Sequence, residues 1–240
     1  MARFLTADWR YIVMLNYEVD PAILKRFVPV GTELDLFKGQ CFASVVGFMF
    51  LNTKLLGVPI PFHRNFEEVN LRFYVKRKVG RKVRRGVVFI KELVPKKAIA
   101  LVANSYYNEN YEAVRMDHKI DKNQAGLQTG GRIEYGWTKG KDRYHLSALT
   151  EGQSSIPAAS SLSHFIKEHF YGYVIQRDGS TLEYEVDHPS WTTLKVVESS
   201  LYCDVEKLYG AEFVAPLGKD PISAFACEGS EVSVMKPRNF

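Results

Sequence analysis

Alternating apolar and polar positions dominate the chain and predict a structure built mostly from β-strands. Residues 69–76 alternate cleanly, whereas residues 86–94 are almost continuously apolar, as in a strand covered on both faces. Strands are predicted at 40–50, 66–76, 86–94, 132–137, 145–149, 182–186, 192–197 and 232–235. Regular strand–helix alternation is missing, which excludes a doubly wound parallel fold. The pattern favours an α+β protein with a large, mostly antiparallel sheet.

Three short helices are predicted between the strands. The first has Asp20 as its N-cap and Pro21 at its first position, and it stops before Pro29. The other two are predicted from Pro95 to about Tyr106, and from Ser160 or Ser161 to about Gly172. Strands come first and last in the chain, and these three helices are interspersed among them.

Composition narrows the class of protein. The 240 residues are 46% hydrophobic and 25% charged, which excludes disorder, coiled coils and small disulfide scaffolds. The sequence shows no signal peptide, and its most apolar run, 45–51, is far shorter than the ~20 residues of a membrane span. The cysteines, Cys41, Cys203 and Cys227, form no CxxC pair, so neither a disulfide framework nor a thiolate zinc site is indicated. We expect a cytoplasmic protein that requires no metal and no cofactor.

The net charge of +5 has a local origin. Seven basic residues lie within ten positions: Lys76, Arg77, Lys78, Arg81, Lys82, Arg84 and Arg85. Without them the chain has 25 basic and 27 acidic residues. The turn signal at Val79–Gly80 places this run at the tip of a hairpin. It is interpreted either as protection of a sheet edge or as a phosphate-binding tip. Nucleic acid is the less favoured partner, because no aromatic residue interleaves the run.

Two features of the sequence carry candidate chemistry. Lys96 and Lys97 follow Pro95 at a predicted helix start, where neighbouring ammonium groups and the helix dipole favour loss of one proton if the site is desolvated. A neutral lysine amine is a nucleophile able to form a Schiff base. The alternative is that both lysines are simply solvated at the start of the helix. The sequence contains no GxGxxG, GxxxxGK[ST], GxSxG or HExxH motif.

The second feature is a polar strand face. In the segment from His63 to Tyr74, strand alternation directs Glu68, Asn70 and Arg72 to one side and apolar residues to the other. This face is either exposed to solvent or lines a polar cavity in which each buried charge needs a partner. We predict that Glu68, Asn70 and Arg72 face an interior cavity, with His63 and Arg64 at its mouth.

Five segments together resemble a known family. They are NYEVDPAILKRFVPVGTELD (16–35), VPIPFHRNFEEVNLRFYV (58–75), RRGVVFIKELVPKKAIA (84–100), EHFYGY (168–173) and EYEVDHPSW (183–191). The chain is similar in them to the YqjF-like bacterial family of the acetoacetate-decarboxylase-like superfamily. The resemblance implies a single domain over 1–240: a cone-shaped, mostly antiparallel β-barrel with flanking helices and a central cavity.

The resemblance also suggests roles for individual residues. Glu92–Leu93 leading to Pro95–Lys96–Lys97 resembles the active-site segment of acetoacetate decarboxylase. It implies that Lys96 is the Schiff-base residue, that Lys97 perturbs its pKa and that Glu92 belongs to the substrate site. An arginine before the first helix matches Arg10. The two active-site glutamates of the enzyme fall near residues 43–44 and 55–56, where this sequence has no carboxylate.

Two functions remain open at this point. In the first, the protein binds a small organic acid or carbonyl compound and acts as a cofactor-free Schiff-base decarboxylase or lyase, with Arg10 or Arg64 holding a carboxylate. In the second, a non-catalytic ligand-binding or interaction protein keeps the fold without the chemistry. The sequence specifies neither the substrate nor the oligomeric state, and a homo-oligomer is compatible with it.

Overall fold

Long antiparallel strands make up most of the molecule. Its structure is a computed structural model that describes residues 3–124 and 126–240. Met1, Ala2 and Ala125, which the predicted 1–240 domain includes, lie outside the described residues. The strands are β1 (Arg3–Glu18), β2 (Glu33–Leu34), β3 (Phe42–Leu55), β4 (Val58–Pro59), β5 (Phe66–Val79), β6 (Lys82–Val94), β7 (Tyr111–Ala113), β8 (Arg115–Ile120), β9 (Lys122–Asn123), β10 (Gly126–Leu127), β11 (Arg132–Lys139), β12 (Asp142–Ser155), β13 (Tyr171–Ile175), β14 (Thr181–Asp187), β15 (Thr193–Tyr202), β16 (Ser223–Met235) and β17 (Arg238–Asn239).

The helices are short and lie between these strands. They are α1 (Pro21–Leu24), α2 (Lys97–Val102), α3 (Leu162–Lys167), α4 (Val205–Tyr209) and α5 (Val214–Leu217). A 3-10 turn follows α1 at Lys25–Phe27, a π turn follows α2 at Ala103–Tyr107, and a 3-10 turn precedes α5 at Ala211–Phe213. Among the described residues, no helix is both long and apolar enough to cross a membrane.

A barrel forms the centre of the fold. Within the described residues, seven strands follow one another in the order β14-β13-β6-β5-β3-β1-β16, and pairing of β14 with β16 closes the circle. Only the β6–β13 contact in this circle is parallel, so the barrel is mixed but mostly antiparallel. From β16 the sheet continues outward through β15, β12, β11 and β8. The predicted α+β fold, a mostly antiparallel β-barrel with flanking helices, is confirmed.

Two hydrophobic cores lie on the two faces of the barrel wall. Outward-facing residues of β1, β3 and β5 pack against the sheet extension, whose Tyr135, Trp137 and Leu146 are fully buried. Inward-facing residues, with Phe165 and Ile166 of α3 and Trp191, form the second cluster. Both faces of the central strands are therefore covered, which explains their nearly continuous apolar sequence.

Three backbone irregularities change which residues face the barrel interior. Tyr11 in β1 and Asn52 in β3 have φ angles of 57° and 54°, and the register of β6 skips Ile90 opposite β5. Each extra residue reverses the in–out alternation of its strand. Phe48 and Phe50 of β3 line the interior before the irregularity, for example, and Thr53 and Leu55 line it afterwards.

Each predicted strand and helix is present with shifted ends, but the structure also contains elements that were not predicted, among them β1, β8, β13, α4 and α5. Asp20 caps α1 by accepting a hydrogen bond from the Ala22 amide at 2.8 Å, as predicted. The third helix is shorter than expected, because α3 ends at Lys167 and Tyr171 already begins β13. The sixteen-residue β1 was not predicted, because the reversal at Tyr11 breaks its alternation into two out-of-phase halves.

Candidate ligand cavity in the barrel

A cavity of about 410 Å³ occupies the interior of the barrel. Such a volume is typical of small-molecule sites. Most of its wall is apolar and comes from β1, β3, β5 and β6: Ile12, Met14, Val46, Phe48, Phe50, Phe66, Val87 and Phe89. Ala98, Ile99 and Val102 of α2 cover another part of it. Polar side chains are therefore the minority in this wall.

One strand contributes a ladder of polar side chains to the cavity. Glu68, Asn70 and Arg72 occupy alternate positions on the inward face of β5. The β6 irregularity adds Glu92, which lies opposite Asn70 in the register and faces the same interior. Glu68, Asn70 and Glu92 are each no more than 2% exposed.

Three carboxyl groups and two phenols gather at one side of the cavity. This carboxyl cluster consists of Glu68, Glu92 and Glu109, with the phenols Tyr111 and Tyr184 beside it. Asn70 Nδ2 donates to Glu68 Oε1 at 2.9 Å, and the Tyr111 hydroxyl donates to Glu68 Oε2 at 3.4 Å. The Tyr184 hydroxyl donates to Glu109 Oε1 at 3.2 Å, and Glu92 shares a hydrogen bond with Glu109.

Burial makes these carboxyl groups unusually weak acids. Burial raises the pKa of Glu68 to about 7, although hydrogen bonds from Asn70 and Tyr111 and the charge of Arg72 act to lower it. Burial also raises the pKa of Glu109 to about 8. The pKa of Glu92 lies well above its ordinary value because of burial and the nearby Glu109 and Glu68. Carboxyl groups that titrate near neutral pH are suited to general acid–base chemistry.

Cationic side chains lie at another part of the lining. Lys167 is the one lysine that lines the cavity among the described residues; its side chain is fully buried, and its Nζ donates to Ser190 Oγ at 3.0 Å. Glu168 Oε1 lies 3.4 Å from the same nitrogen. Burial lowers the pKa of His188, and the charges of Arg72 and Lys167 lower it further. The positive charges of Arg72 and Lys167 therefore both act on the part of the cavity around His188.

A buried ion pair supports this cationic side. His169 Nε2 lies 3.2 Å from Asp35 Oδ2, and Arg85 Nε donates to the same oxygen at 2.6 Å. Burial works to raise the pKa of Asp35, but the hydrogen bonds from His169 and Arg85 hold it below its ordinary value. Burial lowers the pKa of His169. Asp35 therefore stays ionised and orients His169, whose ring also lies against Tyr74.

Unpartnered polar atoms concentrate around the cavity. Across residues 3–124 and 126–240, eight buried side-chain nitrogen or oxygen atoms have no hydrogen-bond partner. Six of them belong to cavity-lining residues: Trp9, Thr53, Asn70, Arg72, Glu92 and His169. Because buried polar atoms are nearly always paired in folded proteins, this concentration marks the cavity as a site for polar contacts.

The structure places five of the nine predicted site residues in the lining. Glu68, Asn70, Arg72, Glu92 and His63 all line the cavity. Glu68 and Arg72 share this face of the cavity but form no direct ion pair with each other. Glu68 accepts from Asn70 and Tyr111, whereas the Arg72 guanidinium lies 3.7 Å from Met14 Sδ and acts on Glu68 only through its charge.

The other four predicted residues lie outside the lining. Arg10 lies 3.4 Å from the Gly229 carbonyl and 3.9 Å from Glu228, and the exposed Arg64 donates to Asn52 at 3.3 Å. Lys96 is half-buried as the N-cap residue of α2, and Lys97 is exposed. The helix directs Ala98, Ile99 and Val102 at the cavity instead. The catalytic role of Lys96 and Lys97 stays a prediction.

Several cavity residues were not predicted from the sequence. Glu109 and Tyr111 lie in and beside a loop without regular alternation, and Lys167 was assigned only to a helix. Tyr184 reaches Glu109 because Gly172 on the neighbouring strand leaves room for its ring; a Cβ at Gly172 would collide with the ring of Tyr184. For Tyr184, its inward position in the predicted strand 182–186 was the available signal.

Comparison with known proteins assigns the family. A family model described as an uncharacterized conserved protein, DUF2071, matches residues 6–231. The chain belongs to the DUF2071 family. A relative of this DUF2071 chain is the uncharacterized protein YqjF of Bacillus subtilis (strain 168), which is 28% identical over 187 residues, or 76% of this chain and 72% of YqjF.

Solved structures similar to this DUF2071 chain share its fold. Acetoacetate decarboxylase from Legionella pneumophila matches with a TM-score of 0.68 at 10% identity, covering all of this chain and 88% of that one. The enduracididine biosynthesis enzyme MppR, complexed with pyruvate, matches with a TM-score of 0.67 at 14% identity, covering all of this chain and 91% of that one. The acetoacetate-decarboxylase-like fold implied by the sequence is therefore present.

Proposed function

We propose that this protein binds a small organic acid inside the barrel, with the carboxylate of the ligand at Arg72. The observation that carries the proposal is the Arg72 side chain itself. It lines an otherwise largely apolar cavity, its Nε has no hydrogen-bond partner in the described part of the chain, and its Nη2 donates to the weakly accepting sulfur of Met14 at 3.7 Å. The guanidinium carbon also lies 5.9 Å from the centroid of the Tyr74 ring. A planar guanidinium is the side chain best suited to a carboxylate.

Physical chemistry supports a carboxylate in this place. A buried N–H group without an acceptor costs ~1–3 kcal/mol, and a bound carboxylate recovers that loss. The nearby Lys167 adds a second positive charge. The MppR structure is complexed with pyruvate, so a small keto acid is a reasonable first probe for a chain with the same fold.

Calorimetric titration with pyruvate and with hexanoate tests the proposal, because one probe carries a keto group and the other a longer apolar chain. We expect at least one of them to bind, and Arg72→Met to weaken its binding about tenfold or more through loss of the charge-assisted hydrogen bonds. Arg10→Met and Arg64→Met are matched controls, since both arginines lie outside the lining, and they should bind like the parent. Equal binding by Arg72→Met and the parent would contradict the proposal.

An imine-forming enzyme is the second candidate, favoured by one observation. Lys167 presents a buried amine to the same cavity. In such a reaction the neutral amine adds to the ketone carbon, the carbonyl oxygen leaves as water with one proton from the amine and one taken up from solvent, and a protonated imine results. That imine would withdraw electrons from the neighbouring carbon and allow decarboxylation or dehydration. The resemblance to acetoacetate decarboxylase suggests Lys96 for this role instead.

Borohydride trapping separates the enzyme from a non-catalytic binding protein. After incubation with a β-keto acid and borohydride, an enzyme of this kind should carry a stable adduct on Lys96 or Lys167, identified by peptide mass spectrometry. Lys119, exposed on β8, reports non-specific reaction. Unmodified protein that still binds the keto acid would exclude imine chemistry and leave the binding function. The cytoplasmic location and the lack of a cofactor stay predictions from the sequence.

A further inference from the structure

The carboxyl cluster has an unusual balance of charge. Glu68, Glu92 and Glu109 take their contacts from an amide, two phenols and each other, and within the described residues none of them forms an ion pair. Arg72 acts on Glu68 only through its charge. Buried carboxylates are normally paired with a cation. This cluster thus holds up to three negative charges with little compensation from the chain.

The atoms left over in the cluster are oxygens. The Tyr184 phenol donates to Glu109, the Tyr111 phenol to Glu68 and Glu92, and the Asn70 amide nitrogen to Glu68, so the protons of these groups are already used. What has no partner among the described residues is Asn70 Oδ1 and Glu92 Oε2, on side chains that are 1% and 2% exposed and that line the cavity. A group that meets these two acceptors must donate hydrogen bonds.

We infer that the carboxyl cluster recognises a protonated amine on the same ligand whose carboxylate meets Arg72. The ligand class is then a short aliphatic acid that carries an ammonium group at its far end. This inference rests on the proposed function, since the carboxylate end of the ligand lies at Arg72. The ammonium supplies the missing charge and three N–H donors, two of which suit Asn70 Oδ1 and Glu92 Oε2.

The strand geometry suits such a two-ended ligand. Glu68 and Arg72 lie four residues apart on the same face of β5, which separates their Cα atoms by about 13 Å. Both side chains lead into the cavity between them, and that cavity of about 410 Å³ has apolar walls from β1, β3 and β6. The cavity volume lies within the ~300–1,000 Å³ range of small-molecule sites and leaves room for a chain of about five methylene groups.

The pH dependence of binding has a definite sign. The cluster itself consists of Glu68 of β5, Glu92 of β6 and Glu109. The other titratable or charged groups that face it are Arg72 of β5, Tyr111 of β7 and Tyr184 of β14. The raised pKa values of the carboxyl groups mean that more of them ionise as the pH rises through 7 to 8, whereas an alkylammonium stays charged up to about pH 10. Binding of the amine therefore strengthens as the pH rises from 6.5 to 8.5.

Titration of the intact protein with three matched probes tests the inference. The probes are hexanoate, 6-hydroxyhexanoate and 6-aminohexanoate, at pH 6.5 and 8.5. We expect the amino acid to bind about tenfold more tightly than the hydroxy acid at pH 8.5, with a smaller difference at pH 6.5. Glu92→Gln keeps the shape of the side chain, removes its charge and should abolish most of the difference. Glu109→Gln gives the same readout if Glu92→Gln does not fold.

Controls distinguish failure of this inference from failure of the proposed function. Glu185→Gln, on the same strand as Tyr184 but outside the lining, should leave the preference for the amine unchanged. If hexanoate binds through Arg72 but the hydroxy acid binds as tightly as the amino acid, the ammonium site is overturned and carboxylate binding stands. If none of the three probes binds, neither inference about this ligand class survives.

Discussion

Glu183 is the residue that explains most of the basic run at the hairpin of β5 and β6. It is 1% exposed and accepts hydrogen bonds from Arg77 at 3.0 Å, from Arg84 at 2.6 Å and from Arg238 at 2.9 Å. Asp35 binds Arg85 in the same manner. About half of the basic run therefore pairs with buried carboxylates, and Lys78, Arg81 and Lys82 form its exposed tip. This supports a structural role for the run rather than phosphate binding.

Glu183→Gln should lower the free energy of unfolding by about 2–3 kcal/mol, because three guanidinium groups lose their shared negative partner. The value lies below the usual cost of breaking a buried pair, since the arginines are partly solvated. Urea unfolding measures the effect. Glu185→Gln on the same strand is the control, and equal loss in both variants would show that the arginine cluster contributes nothing specific.

At the scale of elements, the strand irregularities position the site. Without the extra residue at Ile90, Glu92 would not fall opposite Asn70 on the inward face. The irregularity at Tyr11 lets Trp9 and Ile12 of β1 both line the cavity, although they differ by three positions. A close approach between strands has a similar effect: Gly172 of β13 allows the ring of Tyr184 of β14 to lie across it.

Gly172→Ala should destabilise the protein by about 1–3 kcal/mol, because the new methyl group meets the ring of Tyr184. The cost should fall to less than ~1 kcal/mol in a Tyr184→Ala background, where the ring is gone. Urea unfolding of the four proteins of this double-mutant cycle gives the coupling. An unchanged cost in the absence of the ring would show that Gly172 is required for another reason.

At the scale of the whole molecule, the buried carboxyl cluster links stability to pH. The pKa values of Glu68 and Glu109 rise from 4.5 in the unfolded chain to about 7 and about 8 in the folded state. The folded state therefore binds more protons than the unfolded chain between these values, so stability falls as the pH rises. His169 and His188 have lowered pKa values and act in the opposite direction, but only below about pH 6.5.

The free energy of unfolding should therefore fall by a few kcal/mol between pH 6.5 and 8. Urea midpoints at pH 6.5, 7.25 and 8 measure it, and Glu92→Gln should flatten the slope because it removes one charge from the cluster. Glu151→Gln, which alters an exposed ion pair with Lys195, should leave the slope unchanged. A stability that rises across this window would contradict the buried, weakly acidic cluster.

Local patterns were sufficient for part of this molecule. Alternation over a few residues specifies which side of a strand is polar, and it placed Glu68, Asn70 and Arg72 together on the face that lines the cavity. The N-cap of α1 and the hairpin of β5 and β6 were also predicted, because each depends on residues close together in the chain. Local patterns could not predict closure of the barrel, because pairing of β14 with β16 joins residues almost fifty positions apart. The barrel was predicted from the family resemblance instead.

The composition of the site was decided by the tertiary structure. The carboxyl cluster and its two phenols bring together side chains from β5, β6, β7, β14 and the segment before β7, and no spacing in the sequence encodes their proximity. Lys167, the last residue of α3, lines the cavity, whereas Lys96 and Lys97 lie outside the lining and α2 presents Ala98, Ile99 and Val102 to it instead. The sequence by itself determined which strand faces are polar, because side-chain alternation is local. Which polar groups meet depends on strand order, register and the extra residues that reverse that alternation, all of which arise from long-range pairing.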